Sequence, residues 1–214
     1  MGTPALFTRI LLFVVALAGA AAGASAQTVW RGNFAAGKNG LQMSPCRSGE
    51  RVAVEDATPQ RELESVYRAL ATRAGRAIFI EFSGRRDGAI LRAERLRRAY
   101  ADGPGCREDL DQVQLRAQGT EPLWYVDARA DAVLLRRPGG GAPHRFPAGA
   151  FERRGAEFVY EGAAERSVLR IVLREERCRD PLSGALYTLR ALADWDGRKL
   201  PGCAYWGELA PAQR

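Results

Sequence analysis

Residues 178–206 read CRDPLSGALYTLRALADWDGRKLPGCAYW, and two cysteines, Cys178 and Cys203, bracket an alternating apolar segment. Tyr187, Leu189, Ala191, Ala193 and Trp195 recur at every second position, which places them on one face of a strand spanning residues 186–195. Residues 194–199 then supply a turn before Gly202-Cys203. A cysteine pair closing such a strand is the staple expected of a small β domain in an oxidising compartment.

The pattern extends upstream. Leu169, Ile171 and Leu173 alternate with Arg170 and Arg174, the signature of a half-buried strand over residues 168–175. Further strands are predicted at 123–128, 132–136, 150–153 and 157–160, which gives an antiparallel meander. A small β-barrel or sandwich is the closure that limits exposed strand edges.

The first half reads differently. Strands at 29–34, 41–45 and 51–55 are separated by Gly, Asn, Pro and Ser turn signals. A helix over 59–73 follows, with Thr58 as N-cap, Pro59 at its first position, Leu63, Val66, Tyr67 and Leu70 on one face, and Gly75 beyond its end. Two more strands are predicted at 77–82 and 89–97. Three strands, a helix and two strands is the element order of an OB-like barrel. The expected fold is therefore mainly β: an OB-like barrel with one helix over 27–116, then a small antiparallel β-barrel or sandwich over 117–214, the boundary lying within 114–119. Arg95, Arg97 and Arg98 form a basic cluster, either an anion-binding edge or a charged edge strand that resists aggregation.

Arg9, an apolar run over 10–18 and a small-residue tail ending Ala24-Ser25-Ala26 read as a cleavable export signal over residues 1–26. The run is short for a membrane span, so no integral membrane segment is expected after cleavage, and localisation is read as periplasmic or secreted. Removing the signal takes away one charged side chain, Arg9, from a chain of net charge +7. That charge serves either solubility or attraction to anionic glycans and lipids; no nucleic acid partner is expected.

All four cysteines, Cys46, Cys106, Cys178 and Cys203, follow the signal, and three pairings are open to them. Cys46 with Cys106 and Cys178 with Cys203 keeps each bridge inside one half of the chain, each contributing about 3–4 kcal/mol through loop entropy. No C-x-x-C pair or histidine cluster suggests zinc, so no metal or cofactor is expected.

In the second half, Gly119-Thr120-Glu121-Pro122-Leu123-Trp124, then Cys178-Arg179-Asp180-Pro181-Leu182-Ser183-Gly184 with Tyr187, then Gly202-Cys203-Ala204 resemble three signatures. They are the G-N-E-P-F-W, C-x-D-x-M-S-G-x-x-Y and G-C-A signatures of an uncharacterised family of bacterial exported proteins and lipoproteins. Thr120, Leu123 and the Pro181-Leu182 pair depart from that pattern. In the first half, Gly32, Phe34, Cys46, Tyr67 and the IFIEFSG strand are similar to the OB-like domain of the copper-resistance, envelope-stress lipoprotein family. That family's metal cysteine pair has no counterpart here, so no copper role is carried over.

These signatures nominate Glu121, Trp124, Asp180, Ser183, Gly184 and Tyr187 as binding residues. Each also has a plain structural reading: Trp124 as a core aromatic, and Asp180, Ser183 and Gly184 as a hydrogen-bonded turn. His144, the one histidine, follows a glycine-rich loop that promises no positioned base, and Glu121 with Asp180 is a weak carboxylate pair for glycoside hydrolysis. No catalytic residue is assigned. The chain is read as a non-enzymatic binding protein of the cell envelope, its partner an envelope component or periplasmic protein. The alternative comes from Ser183-Gly184-Ala185-Leu186-Tyr187, which resembles the S-G-x-x-Y loop of the exported inhibitors of c-type lysozyme. That resemblance implies insertion of Ser183 into the enzyme cleft with help from Lys199.

Overall fold

The computed structural model describes residues 28–73, 75–137 and 141–209; the export signal read over 1–26 lies outside the described residues. The first half forms strands β1 (Thr28–Gly37), β2 (Gly40–Pro45) and β3 (Val52–Asp56), helix α1 (Glu62–Leu70), and strands β4 (Ile78–Asp87) and β5 (Ile90–Tyr100). β1 pairs with both β2 and β4, β3 runs parallel to β5, and β4 pairs with β5. The order 1-2-3-5-4 thus returns to β1, and the five strands close the OB-like barrel expected from the sequence. Its core is Phe34, Met43, Ile80, Phe82, Leu91 and Leu96, with Leu63, Val66, Tyr67 and Leu70 of α1 packed upon it.

The helix is shorter than predicted. Gln60 and Arg61 take positive φ, so a separate 3-10 turn at Pro59–Arg61 precedes α1, which ends at Leu70 rather than Arg73. Its first turn is held from the preceding strand: the Glu62 amide donates to Thr58 Oγ1 (2.8 Å) and the Glu64 amide to Asp56 Oδ2 (3.0 Å).

The remaining strands are β6 (Val113–Thr120), β7 (Leu123–Arg129), β8 (Ala132–Arg136), β9 (His144–Pro147), β10 (Glu152–Arg154), β11 (Glu157–Ala164), β12 (Ser167–Arg174), β13 (Cys178–Arg179), β14 (Leu186–Tyr187), β15 (Leu189–Trp195) and β16 (Arg198–Trp206). Nine of them form one antiparallel sheet, ordered β10-β11-β12-β15-β16-β6-β7-β8-β9, curled into a half-barrel around Trp124, Phe146, Tyr160, Leu169, Ile171 and Leu173. β6, read as a boundary segment in the sequence, is a full member of this sheet, so position 116/117 falls inside a strand.

β13 and β14 do not join that sheet. Leu186 pairs with Ala99 and Tyr187 with Arg98, so this hairpin extends the barrel's sheet to seven strands. The single strand predicted over 186–195 is therefore two, broken at Thr188, with Tyr187 and Leu189 in different sheets. Both expected disulfides are present. The second, Cys178–Cys203, joins β13 in the barrel's sheet to β16 in the nine-stranded sheet rather than lying within one module.

A third cluster sits where the two sheets meet: Phe79, Tyr100, Leu110, Val113, Cys178, Tyr187, Cys203 and Tyr205. Arg98 lies within it, only 1% exposed. Its Nε donates to Glu81 (3.0 Å), its Nη1 donates to Glu108 (2.6 Å), and its guanidinium carbon lies 4.1 Å from the Tyr205 ring centroid. The three arginines of the basic cluster thus do not share one surface. β5 pairs with β4 on one side and, on the other, with β3 over residues 90–93 and with β14 at Arg98 and Ala99; Arg98 is core, Arg97 binds Glu81 at 3.1 Å, and only Arg95 is exposed.

Candidate functional site

The signature segment 178–187 folds as a tight hairpin because Asp180 supplies the bonds its turn lacks. Asp180 is 3% exposed, and its Oδ1 accepts from the amides of Leu182 (3.1 Å) and Ser183 (2.7 Å) and from Ser183 Oγ (2.8 Å). The Gly184 amide donates to the Asp180 carbonyl at 2.9 Å, with Gly184 at φ +69°, a conformation that favours glycine. Pro181, Leu182 and Ser183 are left at the tip, with Leu182 83% exposed. Asp180→Ala is expected to cost about 1.5–3 kcal/mol, the loss for hydrogen bonds to a charged acceptor, read as a lower urea midpoint.

This hairpin forms one wall of a groove of about 850 Å³, and the N-terminal half of α1 forms the other. Arg95, Arg177, Arg179, Glu62 and Glu94 supply its charges, Gln60 and Ser65 its neutral polar groups. Arg177 is ion-paired with Glu62, Glu94 with Arg85 at 3.3 Å, and Arg179 donates Nη1 to the Gly184 carbonyl at 2.9 Å. Arg95 has no ion pair or side-chain hydrogen bond among the described residues. Both carboxylates in the groove are already matched by arginine, so its residual charge is positive. Guanidinium groups present forked donors that fit carboxylate, sulfate or phosphate oxygens.

The other nominated residues have separate places. Trp124 is fully buried, and its Nε1 donates to the Pro201 carbonyl at 2.9 Å. Its ring crosses Gly119, its direct partner on β6, and Gly202 on β16: a Cβ at Gly119 would lie 2.2 Å from Trp124 Nε1, and one at Gly202 would lie 2.8 Å from Trp124 Cζ2. The small residues in the first and third signatures are therefore what lets the indole lie across neighbouring strands. Glu121 is exposed in the β6–β7 turn. Tyr187 is buried, stacks on Tyr205 with ring centroids 5.6 Å apart, and its hydroxyl accepts from Gln118 Nε2 (3.0 Å).

Lys199 closes a cross-strand row of alternating charge on the nine-stranded sheet, Glu161, Arg170, Asp194, Lys199, and is paired with Asp194. It shares neither sheet nor contact with Ser183. Lys199→Ala is expected to leave the urea midpoint unchanged within error, as for an exposed pair in high dielectric. His144 lies on β9 against the Trp195 ring, with centroids 4.6 Å apart. Among the described residues no group of three or more His, Cys, Asp or Glu is arranged to hold a metal ion.

Asp180, Ser183 and Gly184 are thus brought together, and Arg179 and Leu186 beside them line the groove. Trp124, Tyr187, Glu121 and Lys199 are not part of it. Sequence reading missed Arg177, Arg179 and Glu62, because only the pairing of β14 with β5 carries residues 177–179 to α1. Comparison with protein-family models finds no match, and none is found among curated proteins or solved structures.

Proposed function

We propose that this protein is a non-enzymatic binding protein of the cell envelope, exported to the periplasm or beyond, that holds an anionic partner in the groove between α1 and the β13–β14 hairpin. The observation that carries this reading is the convergence of Arg95, Arg177 and Arg179 on one cleft whose two carboxylates already have arginine partners. Two disulfides and the signal-like N-terminus support export, and the family resemblance of the hairpin segment supports an envelope role. A uronate- or sulfate-bearing oligosaccharide suits the groove, since Gln60 and Ser65 add hydrogen-bonding groups that a sugar can use.

The test is titration of a fluorescent acidic oligosaccharide at several salt concentrations. Affinity is expected to fall steeply with salt, and Arg95→Glu and Arg179→Glu are each expected to weaken it at least tenfold, about 1.4 kcal/mol. Affinity unchanged in both variants would remove this groove as the site. The exposed Leu182-Ser183 tip favours one second reading, a protruding loop that enters an enzyme cleft. Titration against c-type lysozyme decides it: undiminished lytic activity at micromolar protein ends that reading.

A further inference from the structure

A second groove, of about 530 Å³, lies at the other end of α1, between that end and the β1–β2 hairpin. Its lining is Ala36, Gly37, Tyr67, Ala71 and Gly75, with Lys38, Arg68 and Arg73 as the charged members. No acidic side chain lines it, and none of the three cations has an ion pair or side-chain hydrogen bond among the described residues. All three are exposed, so they form a solvent-facing cationic rim. Across Ala36 and Gly37, the neighbouring groove carries Glu55, Asp56 and Glu64 together with Arg61.

The neutral part of this lining offers little to a sugar. Alanine and glycine provide no side-chain donors, and the Tyr67 hydroxyl, which accepts from the Gly75 amide at 3.1 Å, is the one neutral side-chain hydrogen-bonding group among these lining residues. An apolar floor beneath a cationic rim is complementary to a ligand with an apolar chain and an anionic head. We propose that this groove binds one molecule of a single-chain anionic amphiphile, its head held by Lys38, Arg68 and Arg73 and its chain lying on Ala36, Tyr67 and Ala71. A single molecule fits better than a bilayer surface because the groove is concave and of small-ligand size. None of the exposed large apolar residues, Val29, Ile90, Tyr125, Val168, Leu182, Leu192 and Leu209, lines its rim to anchor in lipid.

Isothermal titration with decanoate, below its micelle threshold, tests the assignment on the full protein. Saturable binding of one decanoate per chain is expected, with butyrate at least thirtyfold weaker, since each methylene reaching the floor is worth roughly twofold to fourfold. Octyl glucoside, which lacks the charge, is expected to bind at least tenfold more weakly than decanoate. Arg68→Glu and Lys38→Glu are each expected to weaken decanoate at least tenfold, while Arg95→Glu, in the first groove, leaves it unchanged. That control separates failure here from failure of the oligosaccharide site. Equal affinity for butyrate and decanoate, wild-type affinity in both charge reversals, or association with phosphatidylglycerol vesicles alone would each overturn the assignment. The chain-length series uses the unmodified protein, so it holds even where a variant folds poorly.

Discussion

Arg98→Met is expected to destabilise the protein by about 3–5 kcal/mol, the cost of breaking a buried charge network by removing one partner. Arg98 joins Glu81 of β4 to Glu108, and both carboxylates are almost fully buried. Its loss leaves Glu81 with Arg97 alone, and Glu108 with Arg116 and Tyr205. In a domain of this size the change corresponds to a fall in Tm of roughly 6–20 °C. Arg98→Lys keeps the charge but lacks the fork that reaches both carboxylates, and is expected to recover less than half of the loss. Urea unfolding with an unchanged slope checks both values. A midpoint within error of wild type for Arg98→Met would show that the network contributes no net stability.

The same network makes folding sensitive to acid. Burial pushes the Glu108 carboxyl up, but the Arg98 charge and hydrogen bonds from Tyr205, Arg98 and Arg116 outweigh it and hold Glu108 below the usual carboxylate range. An unfolded glutamate titrates near pH ~4.3. Glu108 therefore contributes its full stabilisation above that pH and loses it progressively as pH falls toward its lower folded value. Glu108→Gln is expected to be less stable than wild type at pH 7 and to show a flatter decline below about pH 4.5. Burial pushes the Tyr100 phenol, beside Arg98, up to about 12, so it stays protonated through this range.

The second large effect is expected at the Trp124 interlock. Trp124→Ala empties a fully buried site in the nine-stranded sheet and should cost about 3–5 kcal/mol. Gly202→Ala tests the same contact from the other side. The added Cβ would lie 2.0 Å from the backbone oxygen of Gln118, which cannot swing away as a side chain would. Since β16 and β6 are adjacent strands, relief requires them to separate locally, at an expected cost of about 1–3 kcal/mol. Thermal melts read both, and a Gly202→Ala protein as stable as wild type would show that the close strand approach is dispensable.

Legibility of the fold followed the range of the interactions involved. Leu169, Ile171 and Leu173 alternate on one strand, and all three are core. The apolar face of α1 was plain for the same reason, whereas its start was displaced by two residues of positive φ that no periodicity reports. β6 carried a clear signal, with Val113, Leu115, Ala117 and Gly119 all buried, yet it resembled a boundary because glutamines and a glycine interrupt the apolar run. The structural reading of Asp180, Ser183 and Gly184 as a turn was available from their identities, since a short carboxylate side chain bonds its own neighbouring amides.

The amino-acid sequence alone determined the alternation that makes this a β protein, the helical face, the element order of the barrel, and a cysteine pairing that matches the one observed. Each rests on residues whose preferences act over a few positions, or on a simple partition of the chain. Tertiary structure decided that residues 186–187 leave the nine-stranded sheet for the barrel's sheet, that Cys178–Cys203 crosses between sheets, and that Arg98 points inward while Arg95 stays in solvent. A strand's pairing and an arginine's burial depend on partners such as Ala99, Glu81 and Glu108, and only the assembled fold brings those groups close enough to offset desolvation.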